Sequence, residues 1–323
     1  MRFLFIMDPF QNLAWDKDTS FAFMRGAARR GHQIWHCLPQ DITNRGQDVY
    51  AKATELRVHE GAPWLSAENQ EAELELAHLD CVWIRKDPPF DRGYLFLTHQ
   101  LDLVTDRVLV MNAPRGVRDA NEKMFAFQFV EHMPRSMVTA DPKRILAFVQ
   151  EVGGRAVLKP LDGAGGVGVV VLAAGDQNAR SLADIWTLEG KQLALVQEYQ
   201  PAVRVGDKRV ILLDGKCLGA ILRVPRPDDV RANIHAGGRV EPTTLTPAEA
   251  KLVADVGPKL REHGLWFVGL DLIGERLIEV NVTSPTGIQE LGRFNGRPAE
   301  DDVVAWVEER SSAMKLARRA DLR

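Results

Sequence analysis

One tract limits the fold more than any other: Gly163-Ala164-Gly165-Gly166-Val167-Gly168 runs straight into Val169-Val170-Val171-Leu172. The spacing satisfies GxGxxG, which in a dinucleotide fold opens a helix whose N-terminus meets a pyrophosphate. A β-branched run after the last glycine predicts a strand instead. With Ala156–Lys159 before it and Gly168–Leu172 after it, the tract reads as a hairpin tipped by a pliable glycine loop. A flap of this kind suits the phosphates of an ATP site. A protein kinase would carry its lysine after the loop, together with HRD and DFG; here Lys159 comes before it and both motifs are missing. No GK[ST] occurs, which removes a Walker A loop. A purely structural glycine turn stays open on this tract alone.

A second hairpin narrows the choice. Phe267–Ile273 and Leu277–Val280 flank Gly274, and Glu279 and Asn281, two apart on a strand, face the same side. Asp271 joins them if Gly274-Glu275-Arg276 forms a three-residue turn; a two-residue turn would pair it with Ile278 and turn it away. We expect the three-residue turn. Two carboxylates and an amide oxygen suit Mg²⁺ shared with nucleotide phosphates, and unpaired carboxylates so placed would repel without a cation. Acidic residues facing water fit this motif equally well by itself. Its occurrence with the glycine loop favours a nucleotide site.

The first third alternates strand and helix signals. Arg2–Met7, Gln33–Leu38, Cys81–Arg85 and Val108–Met111 predict strands; Thr19–Arg30 predicts a helix, and so does the stretch ending at Gln100. This βαβ rhythm implies an open, mostly parallel α/β sheet. Val49–Val58 alternates and reads as an added hairpin or edge strand. Pro114 and Gly116 break the pattern, so we expect an N-terminal substrate-binding domain over residues 1–120. Residues 121–312 open with a helix over Glu122–Glu131. They continue with hairpins, among them Arg209–Leu213 and Lys216–Arg223 about an Asp214-Gly215 turn. Thr246, Pro247 and Glu249 mark a capped helix start. This part predicts a hairpin-rich α+β fold, and residues 313–323 a solvated basic tail.

Composition limits the partners. Lys and Arg total 41 against 44 Asp and Glu, a net charge of −3, which argues against a nucleic-acid binder. The first apolar run stops at Asp8-Pro9, and no tract approaches the ~20 apolar residues of a spanning helix. Cys37, Cys81 and Cys217 lie far apart without disulfide or zinc spacing, which fits a reducing cytoplasm. We expect a cytoplasmic protein with no nucleic-acid or membrane partner. His32 and His36 flank a strand signal and are not read as a metal pair, while Trp15, Trp64 and Trp83 stay undecided between core and interface.

Longer motifs carry a resemblance over nearly the whole chain. They are Met7-Asp8-Pro9, Lys17-Asp18-Thr19-Ser20-Phe21, Arg85-Lys86-Asp87-Pro88-Pro89-Phe90-Asp91, Asn121-Glu122-Lys123 and Leu158-Lys159-Pro160-Leu161-Asp162-Gly163. Further on come Gly206-Asp207-Lys208-Arg209-Val210, Phe267-Val268-Gly269-Leu270-Asp271 and Glu279-Val280-Asn281-Val282-Thr283-Ser284-Pro285-Thr286. In these the chain resembles bacterial glutathione synthetases of the ATP-grasp superfamily. The resemblance implies an ATP-grasp fold after residue 120. It implies a reaction in which ATP, γ-glutamylcysteine and glycine give glutathione, ADP and phosphate through an acyl phosphate on the cysteinyl carboxylate. It also implies a homo-oligomer. A different amine or thiol-peptide acceptor, or a regulatory protein with a degenerate nucleotide site, are the competing readings.

The resemblance assigns roles residue by residue. Lys123 and Lys159 would contact the ATP phosphates under a flap over residues 162–169, with Gly163, Gly165, Gly166 and Gly168 in it. Gln197, Glu198 and Tyr199 would meet adenine, and Asp207 would join the ATP site. Asp271, Glu279 and Asn281 would hold Mg²⁺, for which Mn²⁺ can substitute. Arg209 and Arg223 are the catalytic candidates, since a guanidinium can bind two oxygens of an acyl phosphate or tetrahedral species at once. Asp8 follows one strand and Arg85 ends another, where ligands sit in open α/β sheets; Asp18 and Ser20 start a helix, and Ser284, Pro285 and Thr286 lie in the last motif. All seven would face the substrates. Asn233, Gly237 and Gly238 belong to a loop over residues 223–241 that would cover the site. There Pro227-Asp228-Asp229 replaces a common Gly-Gly-Glu, and His235 is added.

Overall fold

The computed structural model describes residues 1–68, 71–163, 165–226 and 238–321. The expected Pro227-Asp228-Asp229, Asn233, His235 and Gly237 lie outside them. Three sheets organise the described residues. The first contains β1 (Arg2–Ile6), β2 (Gln33–Cys37), β3 (Ile42–Arg45), β4 (Asp48–Val58), β5 (Leu65–Ala67), β6 (Ala72–Glu75), β7 (Cys81–Ile84) and β8 (Leu109–Met111). Its order is β3-β4-β2-β1-β7-β8, with β5 and β6 also paired to β4. β1 is parallel to β2 and β7, and β7 to β8, as the βαβ rhythm predicts. Phe3, Leu4, Phe5 and Ile6 are all buried, the continuous apolar run of a parallel strand covered on both faces. The alternating β4 is the added element, antiparallel to β2.

The second sheet holds β9 (Ser136–Thr139), β10 (Arg155–Pro160), β11 (Val170–Ala173) and β12 (Ala194–Glu198), in the order β11-β10-β12-β9. All its pairs are antiparallel, and β10 with β11 is the hairpin around the glycine loop. The third holds β13 (Asp207–Leu213), β14 (Lys216–Val224), β15 (Arg239–Thr243), β16 (Phe267–Ile273) and β17 (Arg276–Asn281), ordered β15-β14-β13-β16-β17. Asp214 and Gly215 both take left-handed φ, 50° and 70°, which the primed turn of a tight hairpin requires.

Helices α1 (Thr19–Arg29), α2 (Arg92–Asp102) and α3 (Pro114–Asp119) accompany the first sheet, and α4 (Pro142–Glu151) and α5 (Ala179–Trp186) the second. Then come α6 (Pro247–Glu262), α7 (Ile288–Asn295) and α8 (Glu300–Asp321). α6 has the reciprocal capping box expected of Thr246 and Glu249. Three local expectations are corrected. Pro114 starts α3 rather than breaking the pattern, a position that its fixed φ favours. Glu122–Glu131 is not an α-helix: a 3₁₀ segment occupies Phe125–His132 and kinks at Phe129. The Asn121 side chain accepts from the Lys123 and Met124 amides at 3.1 and 3.0 Å, an Asx turn in place of the first helical turn. The basic tail continues α8, because Lys315 pairs with Asp80 and Arg318 Nη1 donates to the Arg107 carbonyl at 2.6 Å.

The apolar cores explain how the sheets assemble. Phe5, Phe23, Trp83, Ile211, Phe267 and Val303 share one cluster, so the first and third sheets form one body with α1 and α8. The Asn112 side chain stitches the same junction, donating to the Phe267 and Val282 carbonyls at 2.8 and 2.9 Å and accepting from the Phe267 amide at 2.7 Å. The second sheet has a core of its own around Ile145, Leu158 and Val196. A cleft is left where this lobe meets the larger body.

Candidate active site

That cleft is a cavity of about 460 Å³ walled by the second and third sheets and by segments that follow strands of the first. On the second-sheet wall Lys159 is buried, with its Nζ 3.1 Å from Gln197 Oε1, and Gln197 Nε2 in turn donates to Ser136 Oγ at 2.9 Å. Burial pulls the Lys159 pKa down against the nearby Glu279 charge. Lys123, also buried, donates to the Gly163 carbonyl at 2.6 Å and so ties down the root of the flap. A Cβ on Gly163 would lie 2.7 Å from Pro160 Cγ, and one on Gly168 3.1 Å from it. Gly163 thus crosses Pro160 at a spacing that excludes a side chain, and Gly168, close to the same ring, has the left-handed φ of 75° that favours glycine. Gly163, Gly165, Gly166, Glu198, Tyr199 and Asp207 line the cavity. Gly168 does not; its carbonyl accepts from Trp186 Nε1 at 2.5 Å.

The third-sheet wall holds a buried ionic array. Arg209 Nε and Nη2 meet Asp271 Oδ1 and Oδ2 at 2.5 and 3.1 Å, and Arg223 Nη2 lies 3.0 Å from Asp271 Oδ1 and 2.5 Å from Asp207 Oδ2. Burial alone would push the Asp271 carboxyl up, but the two guanidiniums hold it well below the usual carboxylate range. Asp207, with less compensation, is pushed up by burial. Glu279 Oε1 lies 3.8 Å from Lys123 Nζ and 3.9 Å from Lys159 Nζ.

Asp271 stands opposite Glu279, and Asn281 opposite Gly269, as the shared face requires. The route differs from expectation. Ile273 pairs with Arg276, so the turn has two residues, Gly274 and Glu275, both with left-handed φ of 54° and 65°. A bulge at Ile278 then restores the face that this turn alone would lose. The repulsion argument needs correction too: Asp271 is not an unpaired carboxylate.

The donor set suits a hard divalent cation held partly by phosphate. Asp271 and Glu279 supply carboxylate oxygens and Asn281 an amide on one wall of the cavity. Among the described residues no group of three His, Cys, Asp or Glu side chains could hold a metal unaided, so remaining ligands would have to come from nucleotide and water.

The first-sheet wall is built in two layers. Arg85 and Asp18 reach the cavity, together with Ser284, Pro285 and Thr286. Ser20 is buried behind Arg85 and accepts from its Nε at 3.0 Å; Arg85 Nη2 also donates to the Pro285 carbonyl at 3.2 Å. Asp8 lies off the cavity and accepts from the Asp87 amide at 3.0 Å. Gly238 leads into β15 and does not line the cavity, and Asn233 and Gly237 lie outside the described residues. Sequence reasoning gave no role to Lys17, Asp87, Glu122 or Thr283, which all line the cavity. The first three sit inside quoted motifs and Thr283 inside the last one, the signal that was there to use.

Residues 1–118 match the family described as prokaryotic glutathione synthetase, N-terminal domain, and residues 122–296 the prokaryotic glutathione synthetase ATP-grasp domain. The chain belongs to the prokaryotic glutathione synthetase family. A glutathione synthetase of Gloeobacter violaceus is 42% identical over 315 residues, covering 96% of this chain and 97% of the relative. One from Mesorhizobium japonicum is 41% identical over 290 residues, 90% and 92% of the two chains. Membership makes this an ATP-dependent ligase that produces glutathione, with ATP, a divalent metal and a peptide as its requirements. Among solved structures, D-cycloserine synthetase DcsG superposes with a TM-score of 0.63 at 16% identity, covering 96% and 99% of the chains. The ligase PsnB, complexed with precursor peptide PsnA2 and AMPPNP, gives 0.60 at 16%, covering 96% and 98%. At that identity they establish the ATP-grasp fold alone. No helix among the described residues is long and apolar enough to cross a membrane.

Proposed function

We propose that the cavity joins γ-glutamylcysteine to glycine in two steps. The cysteinyl carboxylate oxygen takes the γ-phosphoryl group of ATP, releasing ADP. The glycine nitrogen then attacks the acyl carbon; the C–N bond forms, the bond to phosphate breaks, and the amine gives up a proton. The observation that carries this reading is the Arg209–Asp271–Arg223 array facing the cavity beside Lys123 and Lys159. Such transfers need charge neutralisation and alignment rather than a protein nucleophile.

Lys123, Lys159 and the flap glycines would bind the phosphates, with Gln197, Glu198, Tyr199 and Asp207 completing the nucleotide pocket. Arg209 and Arg223, held rigid by their carboxylates, would stabilise negative charge on the acyl phosphate without reorganising. Asp271, Glu279 and Asn281 would hold Mg²⁺, or Mn²⁺ in its place. When bound, that ion neutralises phosphate charge and orients the γ-phosphoryl group. Arg85, Asp18, Ser284, Pro285 and Thr286 would face the peptide, with Asp8 and Ser20 positioning their neighbours. Asn233, Gly237 and Gly238 would belong to a covering loop that keeps water from the acyl phosphate. We further infer a cytoplasmic homo-oligomer, with residues 1–120 serving the peptide and 121–312 the nucleotide.

Isotope transfer tests the intermediate. With ¹⁸O in the cysteinyl carboxylate, one labelled oxygen should appear in the released phosphate. Phosphate free of label would overturn the acyl-phosphate step.

A further inference from the structure

Three strands of the second sheet carry one polar file into the wall of the cavity. Gln197 on β12 stands opposite Val157 of β10 on one side and Ser136 of β9 on the other. Lys159 lies two residues beyond Val157 and so shares its face. Ser136, Gln197 and Lys159 thus line up across β9, β12 and β10. The last two reach the cavity, whereas Ser136 stands behind them and does not line it.

The hydrogen bonds in this file run one way. A serine hydroxyl has a single proton, and that of Ser136 goes to the Pro134 carbonyl at 2.8 Å. Its oxygen can then only accept, so the end of Gln197 that meets it at 2.9 Å is the NH₂. The amide oxygen is left turned to Lys159 Nζ, 3.1 Å away, and an ammonium can only donate. With the amide reversed, NH₂ would face NH₃⁺. As built, a neutral acceptor holds the buried ammonium without cancelling its charge, and the nearest carboxylate oxygen named for it, Glu279 Oε1, is 3.9 Å off.

We propose that Ser136 is a positioning residue for ATP: it fixes the direction of the Gln197 amide, which in turn aims the Lys159 ammonium into the cavity. This rests on the reading above that Lys159 meets the phosphates. Gln197 is buried, and a buried NH₂ left without an acceptor costs more than the bond itself contributes. Without the hydroxyl the amide turns in search of another partner, and its oxygen leaves Lys159. Ser136 therefore acts on the nucleotide from behind the wall, through Gln197 alone.

The test is a double-mutant cycle read on the Kd for ATP in the presence of Mg²⁺. Ser136→Ala should raise that Kd by roughly fivefold to tenfold, the scale of one buried hydrogen bond, and leave the KM for γ-glutamylcysteine unchanged. Ser136→Thr keeps the hydroxyl and should stay within about twofold of the wild type. Gln197→Met keeps the length of the side chain without its amide. In that background Ser136→Ala should change the Kd by less than about twofold, because residues that act through one another are not additive. A rise of the same size in both backgrounds would mean that Ser136 supports the strand rather than the amide, and would overturn the proposal. So would an unchanged Kd in Ser136→Ala while Lys159→Met weakens ATP binding. Lys159→Met with the wild-type Kd would overturn the phosphate reading and this proposal together.

Discussion

Arg209 grips Asp271 with both Nε and Nη2, side by side on two strands of the third sheet, in a pair that is almost completely buried. Arg223 closes on the same carboxylate from the next strand. The fork geometry fixes each guanidinium as a preorganised donor, and it makes Asp271 as much a support for the arginines as a ligand candidate. Asp271→Asn should therefore act twice. Leaving two buried guanidiniums undercompensated should destabilise the protein by about 3–5 kcal/mol, read by urea unfolding. Turnover should fall by roughly 100-fold or more, as when preorganised charge is lost from a site. A variant of wild-type stability would contradict the role given to the pair.

The sign of the pH dependence follows from the same contact. The folded pKa of Asp271 is depressed, so its contribution is present above the unfolded value near 3.8 and is lost only as pH falls below it.

Glu279 behaves differently, because its contacts to Lys123 and Lys159 are longer and its side chain is partly exposed. Glu279→Gln should keep the fold, with a stability change under about 1 kcal/mol. Its turnover should fall steeply, and the Mg²⁺ concentration for half-maximal rate should rise. Near-normal activity at low Mg²⁺ would remove Glu279 from the metal site.

Glu122 titrates in the neutral range. Burial first, and the Glu279 charge second, raise its pKa to about 7; Thr283 Oγ1 lies 3.3 Å from its Oε1. For a carboxyl raised on folding, the contribution to stability is full below the unfolded pKa near 4.5 and is lost as pH climbs through 7. Glu122→Gln should accordingly gain roughly 2–3 kcal/mol over the wild type at pH 8 and nothing at pH 4. Denaturant unfolding at the two pH values decides it, and a gain of the same size at both would refute the account.

Trp186 is predicted to govern the flap. Its indole N–H holds the Gly168 carbonyl at the end of the glycine loop. Trp186→Phe keeps an aromatic side chain, though a smaller one, and removes a bond worth about 1 kcal/mol. The KM for ATP should rise by about fivefold with kcat much less affected. An unchanged KM would show that the flap root needs no such anchor.

Much of this was readable in the chain, and the rest depends on partners far along it. The parallel strands could be read because Phe3–Ile6 and Cys81–Ile84 are buried on both faces and carry unbroken apolar runs. The common face of Asp271, Glu279 and Asn281 was anticipated, but by a three-residue turn. The bulge at Ile278 leaves no mark in residue type, since any apolar residue can occupy it. Asn121 rather than helix propensity shapes the segment after it. That Ser20 backs Arg85, 65 positions on, and that Asp8 holds Asp87 are long-range facts. Spacing alone could not separate a wall of the cavity from the layer behind it.

The most direct measurement is ADP release and product mass with ATP, Mg²⁺, γ-glutamylcysteine and a panel of amines. The account predicts one ADP per glutathione, strict dependence on the dipeptide, and glycine ahead of every other amine. ATP binding without ADP release, or another amine far outpacing glycine, would contradict it.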